Sequence, residues 1–180
     1  MEATGSPTGT DGALKLHRIV VMGVSGCGKS TVGELLGRIV GSAYLDGDSL
    51  HPASNIAKME AGHPLDDTDR EPWLREIGER LGSVGQDSMI IACSALKRSY
   101  RDLIRAHAPG TVFIHLHGTL ALLTERMSAR AGHFMPVGLL ESQLATLEHL
   151  ESDEAGAVLD IAATPAQLAQ EAAAWLDAQA

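Results

Sequence analysis

The chain has 180 residues, 44% hydrophobic and 21% charged, which suits one soluble globular domain able to bury a core of its own. Its formal net charge of −9 argues against nucleic acid or an anionic membrane surface as partner, because both select a basic face. No apolar run reaches membrane-spanning length, residues 1–16 carry no signal-peptide core, and the two cysteines, Cys27 and Cys93, are poorly placed to pair, so a cytoplasmic protein with reduced thiols is expected.

Residues 1–16 are rich in Gly, Thr and Ser and read as a disordered tail, leaving residues 17–180 as a single domain. Arg18 to Met22 reads as a buried strand. Gly23-Val24-Ser25-Gly26-Cys27-Gly28-Lys29-Ser30 follows it and fits the pattern G-x-x-x-x-G-K-[ST] at every fixed position. Thr31 to Val40 then reads as a helix, with Val32, Leu35, Leu36, Ile39 and Val40 on one stripe. Ala43 to Leu45 is a short strand ending at Asp46-Gly47-Asp48. His51 to Gly62 reads as a short helix with Ile56 and Met59 inward, and Asp69 to Val84 as a longer one with an acidic first turn. Met89 to Cys93 is a continuously apolar strand, as a strand covered on both faces should be. Helices over Lys97–His107, Leu120–Arg130, Val137–Leu147 and Gln167–Leu176 alternate with strands over Val112–Leu116 and Val158–Ile161. This order predicts an α/β protein of three layers, a five-stranded parallel sheet with helices on both faces. Ligands in such a sheet bind at the carboxyl ends of the strands, where all the motifs fall.

The glycine-rich loop identifies a nucleotide. Its glycines let the backbone curl around a polyphosphate with N–H groups pointing inward, and the helix N-terminus adds a favourable dipole. Lys29 reaches the β- and γ-phosphates and the Ser30 hydroxyl ligates Mg²⁺. The strands over 89–93 and 112–116 do not end in the acid that many nucleotide hydrolases use for Mg²⁺, and the GTPase signature N-K-x-D is absent. The best acids are Asp46 and Asp48, whose i, i+2 spacing points them the same way if the chain stays extended; the competing reading is a plain Asp-Gly-Asp turn. Several bases, Lys29, Lys97, Arg98, Arg101, Arg126 and Arg130, suggest a local basic pocket for a small anion. His115 and His117 face one side of a strand, but two ligands without a third make a poor metal site. Glu148 to Glu154 reads as a solvated acidic loop.

Four blocks carry a family resemblance: the glycine-rich loop; Leu45-Asp46-Gly47-Asp48 with His51-Pro52, Asn55, Lys58-Met59, Gly62, Pro64-Leu65, Asp67, Asp69-Arg70 and Pro72-Trp73-Leu74; Cys93-Ser94-Ala95-Leu96-Lys97-Arg98 with Tyr100-Arg101-Asp102; and Arg130 with Gly132-His133-Phe134-Met135. Together they resemble the P-loop gluconokinases, whose fold is like that of shikimate and adenylate kinases. The resemblance implies phosphorylation of the 6-hydroxyl of D-gluconate by Mg-ATP. It implies that Gly23, Val24, Ser25, Gly26, Cys27, Gly28, Lys29, Ser30 and Thr31 bind ATP and that Arg126 stacks on adenine, with Thr164-Pro165 as the opposite wall. Ser30 and Asp46 would hold Mg²⁺. Lys29, Asp48 and Arg130 would be catalytic, with Arg130 on a lid at about 131–136. Asp48, His51, Arg70, Ser94 and Lys97 would bind gluconate, with Arg70 and Lys97 both open as partners of its carboxylate. The oligomeric state stays open, with a homodimer among the expectations. Ala145 stands where the family often has glutamate. Shikimate kinases typically carry three glycines where this chain has Cys93-Ser94-Ala95; a shikimate or adenylyl-sulfate kinase, or a nucleotide switch with no acceptor, are the rival readings.

Overall fold

The computed structural model describes residues 17–129 and 137–179. The tail over 1–16, the lid over 131–136 and Arg130 lie outside the described residues. Five strands, β1 (Arg18–Met22), β2 (Ala43–Asp46), β3 (Met89–Ala92), β4 (Val112–His117) and β5 (Gly156–Asp160), form one sheet in the order β2-β3-β1-β4-β5, every pair parallel. β1 is central, and its residues Ile19 to Met22 are fully buried. Alternation along β1 splits the core in two. Ile19 and Val21 face α1 (Lys29–Val40) and α7 (Pro165–Ala178), while Val20 and Met22 face α3 (Asp67–Gly82) and α4 (Arg98–His107). α5 (Leu120–Ser128) and α6 (Val137–Thr146) add Leu123 and Leu140 to the first side. Each such aliphatic side chain contributes about 1.5–3 kcal/mol by leaving water.

Two helical faces differ from expectation. In α1 the buried side runs Val32, Gly33, Leu36 and Gly37, and Ile39 is 50% exposed. The helix packs through its glycines, since a Cβ on Gly33 would lie 2.6 Å from the Tyr44 ring, and this close approach rotates Ile39 outward. In α2 (Ala53–Glu60) Ile56 and Met59 are both exposed, and the buried residue is Asn55. Polar pairing, described below, sets that face in place of apolar contact.

Helix starts follow local chemistry. Asp66 and Asp69 form a reciprocal capping box on α3, so Asp69 is a first-turn acid with its carboxylate turned back to the cap. Thr164 caps α7 in the same way with Gln167, and Thr119 caps α5.

Candidate nucleotide and acceptor site

A cavity of about 790 Å³ opens at the carboxyl ends of β1, β2 and β3. The glycine-rich loop forms one side through Ser25, Gly26, Gly28, Lys29 and Ser30. Gly28 has φ 96°, in the left-handed region, and a Cβ placed there would meet nothing within 4 Å. That open, turned backbone is the cradle a phosphate group needs. Lys29 Nζ donates to the carbonyls of Gly23 (3.0 Å) and Val24 (3.1 Å), which folds the ammonium over the loop. Gly23, Val24 and Cys27 form the buried back of the loop; Gly23 N–H donates to Ser94 O (3.3 Å). Thr31 is exposed on α1, outside the cavity lining. The residues present therefore fit a nucleoside triphosphate.

The other side comes from the ends of β2 and β3. The chain does not stay extended through Asp46-Gly47-Asp48. It turns into a 3-10 helix over Gly47–Leu50, with Asp46 Oδ1 accepting the Asp48 N–H at 3.0 Å. The cause is packing: a Cβ on Gly47 would lie 2.3 Å from Ala92 O, so this backbone sits against β3 and must bend away. Asp46 is thereby the cap of the turn, yet both carboxylates still line the cavity. Ser94 lines it too, just before Ala95, whose φ of 44° is unusual for a residue with a side chain. Arg70 and His51 complete this side.

The two candidates for the acceptor's carboxylate differ in their partners. Lys97 Nζ lies 3.2 Å from both oxygens of Asp67, outside the cavity lining, and the Tyr100 hydroxyl donates to the same carboxylate at 2.5 Å. These two donors, Tyr100 first, hold the Asp67 carboxyl below its ordinary range. Arg70 lines the cavity, and its Nε has no partner among the described residues. Arg126 donates to Ile161 O, beside the loop that leads to Thr164, so the two proposed adenine walls lie near one another.

Other expectations are corrected. The basic pocket is not a single patch: Arg98 pairs with Glu151 and Asp153, and Arg101, fully buried, pairs with Glu154. The segment 148–154 is exposed at Glu148, Glu151 and Asp153, as a solvated acidic loop should be, but Glu154 departs from that reading: it is buried and supplies the counter-charge to Arg101 of α4. His115 and His117 do have a third imidazole nearby, His149, with ring centroids 5.0 to 5.7 Å apart, but among the described residues no group of His, Cys, Asp or Glu is arranged to hold a metal ion. Sequence reasoning also missed Gln143 of α6, which lines the cavity. Ser25 N–H donates to its Oε1 (2.7 Å) and its Nε2 donates to Ser25 Oγ (3.0 Å), a contact across 118 residues that no local pattern signals.

A phosphate cradle facing a pocket lined by two acids and an arginine defines a small-molecule kinase of the P-loop class. A profile of the family described as shikimate kinase matches residues 25–174. The thermosensitive gluconokinase of Escherichia coli K12 is 44% identical over 137 residues, spanning 75% of this chain and 73% of that one. The gluconokinase of Gluconobacter oxydans 621H is 44% identical over 147 residues, spanning 81% and 83%. The crystal structure of a gluconokinase from Sinorhizobium meliloti 1021 superposes with a TM-score of 0.84 at 50% identity, spanning 91% and 93%. The chain belongs to the shikimate-kinase family of P-loop kinases, in the branch of the gluconokinases.

Proposed function

We propose that this kinase transfers the terminal phosphoryl group of ATP to the 6-hydroxyl of D-gluconate, giving 6-phosphogluconate in gluconate breakdown. The observation that carries this is the similarity to gluconokinases over most of the chain, and the chemistry of the cavity supports it. Lys29 and the loop N–H groups hold the phosphates, and Ser30 and Asp46 would hold Mg²⁺, which would neutralise phosphate charge. Asp48 receives the proton of the accepting hydroxyl. Arg70 takes the gluconate carboxylate, because it lines the cavity and a planar guanidinium pairs with a carboxylate through two parallel hydrogen bonds. Ser94 meets another polar group of the acceptor, and His51 serves the acceptor side from beside Asp48. We assign Gly23 to Thr31 to the nucleotide and Arg126 to adenine, and the family resemblance assigns Arg130 to the transferring phosphate.

A cytoplasmic location accords with two free buried thiols, and among the described residues no helix is long and apolar enough to cross a membrane. A homodimer remains our working assembly.

The family profile makes shikimate the second acceptor to test, and the Asp-Gly-Asp turn adds adenylyl sulfate. Coupled ADP release should be fast only with ATP, Mg²⁺ and D-gluconate together. Equal turnover on glucose or shikimate, or a rate indifferent to gluconate, would overturn the assignment.

A further inference from the structure

Asn55, His51 and Asp48 make a line of contacts that ends at the cavity, and the donors and acceptors along it fix where one proton sits. Asn55 is polar yet only 3% exposed. Its Nδ2 donates to the main-chain oxygen of Asp69 at 2.8 Å, which settles the orientation of the amide, because a carbonyl oxygen only accepts. The same Nδ2 lies 3.4 Å from His51 Nδ1. An amide NH₂ has no lone pair to offer, so Nδ1 must be the acceptor and the ring carries its proton on Nε2. Nε2 faces Asp48, 3.9 Å from Oδ1. The ring cannot swing away: it stacks on Trp73 at 4.0 Å between centroids and 16° between planes. Trp73 is itself tied by its indole N–H to Gly47 O at 2.8 Å, directly before Asp48. A 7% exposed side chain thus stands beside an 84% exposed carboxylate.

We propose that His51 is a positioning residue for Asp48: held by Asn55 as the neutral Nε2–H tautomer, it donates to one carboxylate oxygen and so aims the other at the accepting hydroxyl. The inference rests on the role given above to Asp48. The Nε2 proton stays on the ring. As the hydroxyl oxygen bonds to the terminal phosphorus of ATP, the bond from that phosphorus to the bridging oxygen breaks and ADP leaves; the hydroxyl's O–H bond breaks too, and its proton passes to the free oxygen of Asp48, which later releases it to water. Such bonds are often long in an empty site and tighten once substrate is held. The charges facing the ring agree with a neutral imidazole. Burial first, then the cation of Arg70 on α3, lower the pKa of His51, against the opposing pull of Asp48. The Asp69 carboxylate, also nearby, is taken by Lys58 at 2.5 Å. A second ring proton would sit on Nδ1, against the NH₂ of Asn55.

Long-range ¹⁵N–¹H NMR on the full chain at neutral pH reads the tautomer without any substrate. His51 should show a protonated Nε2 and a bare Nδ1; an Nδ1–H tautomer or an imidazolium overturns the proposal whatever the acceptor is. In the kinetic arm, a carboxylate left to wander should cost about 10²-fold, the scale of a 1 Å misplacement. His51→Leu should therefore lower kcat by about that factor with the KM for ATP unchanged, and His51→Gln, which keeps an N–H donor, should recover most of it. In an Asp48→Asn background His51→Leu should add nothing, since two residues acting as one unit are not additive. Wild-type kcat in His51→Leu, or an equal loss in both backgrounds, overturns the proposal. A wild-type protein inert toward gluconate refutes the acceptor assignment instead, and the tautomer measurement still decides this one.

Discussion

Asp46 and Asp48 sit two positions apart and are held very differently. Asp46 is turned toward its own backbone as the cap of a 3-10 turn, whereas the Asp48 side chain is 84% exposed and points into the cavity. Asp48→Asn should cut kcat by roughly 10²–10⁴-fold with ATP affinity nearly unchanged, the range for losing a general base. Asp46→Asn should raise the Mg²⁺ concentration needed for half activity, and added Mg²⁺ should restore part of its rate but none of the Asp48→Asn rate. A Mg²⁺ titration of both variants checks this, and the opposite pattern of rescue would mean the roles are reversed. Arg70 and Lys97 separate on similar grounds. A charged hydrogen bond is worth about 1.5–3 kcal/mol, so Arg70→Met should raise the KM for gluconate roughly 10–100-fold. Lys97→Met, which removes only an exposed pair with Asp67, should change it by a few-fold at most. Steady-state kinetics on the two variants distinguish them.

Among the elements, α4 and the segment that follows α6 are joined by three arginines, Arg98, Arg101 and Arg105, of which Arg101 is the buried one. Arg101 donates through Nε and Nη2 to Glu154 (2.7 and 2.9 Å) and to the carbonyls of Ala95, Leu96, Glu148 and His149. Both side chains of the pair are essentially unexposed. Removing one partner of such a pair strands a buried charge, so Arg101→Ala should cost about 3–5 kcal/mol in denaturant unfolding. Arg101→Met combined with Glu154→Leu should recover much of that loss, because apolar replacement of both charges removes their desolvation cost. The clamp matters beyond stability. It anchors the end of α6, and α6 carries the Gln143 that grips Ser25 of the phosphate loop.

For the whole molecule, the same buried groups set the response to acid. Burial, reinforced by the charges of His117, His149 and Arg101, lowers the His115 pKa to about 4 from 6.5. The unfolded chain binds this proton first, so the stability that a neutral His115 supplies is complete above pH 6.5 and is lost as pH falls toward 4, by roughly 3 kcal/mol. Burial alone would raise the Glu154 carboxyl, but the hydrogen bonds from Arg101, the Glu151 main chain and Arg105 outweigh it and hold the group at about 2. Its contribution is present above 4.5 and declines as pH drops through about 2. Thermal melts should therefore show a first loss of Tm between pH 6.5 and 4, before ordinary carboxylates titrate. His115→Phe should shrink that first step, leaving the share of His51, whose pKa burial also lowers; a melt profile flat over this window in the wild type would contradict the assignment.

The alternation of apolar strands with helices determined the three-layer α/β fold, because a strand covered on both faces reads as an unbroken apolar run and a parallel sheet is the compact way to connect such strands. The strand β1, the phosphate loop and the helix after it are local: residues adjacent in the chain make their own turn, dipole and N–H cradle. The polar blocks around Asp48 and Arg70 were visible for the same reason, their density exceeding what a connector needs. What tertiary structure alone decided lies between residues far apart in the chain. The sequence could not show that the Gly47 backbone packs on Ala92 and bends the Asp-Gly-Asp run into a turn, nor that glycines turn Ile39 out of the core. It could not show that Arg101 and Glu154 neutralise each other, that Gln143 reaches the loop, or that Asn55 is buried against His51. Each of those depends on which partner removes a polar group from water, and a partner 4 to 118 residues away leaves no periodicity for a single sequence to display.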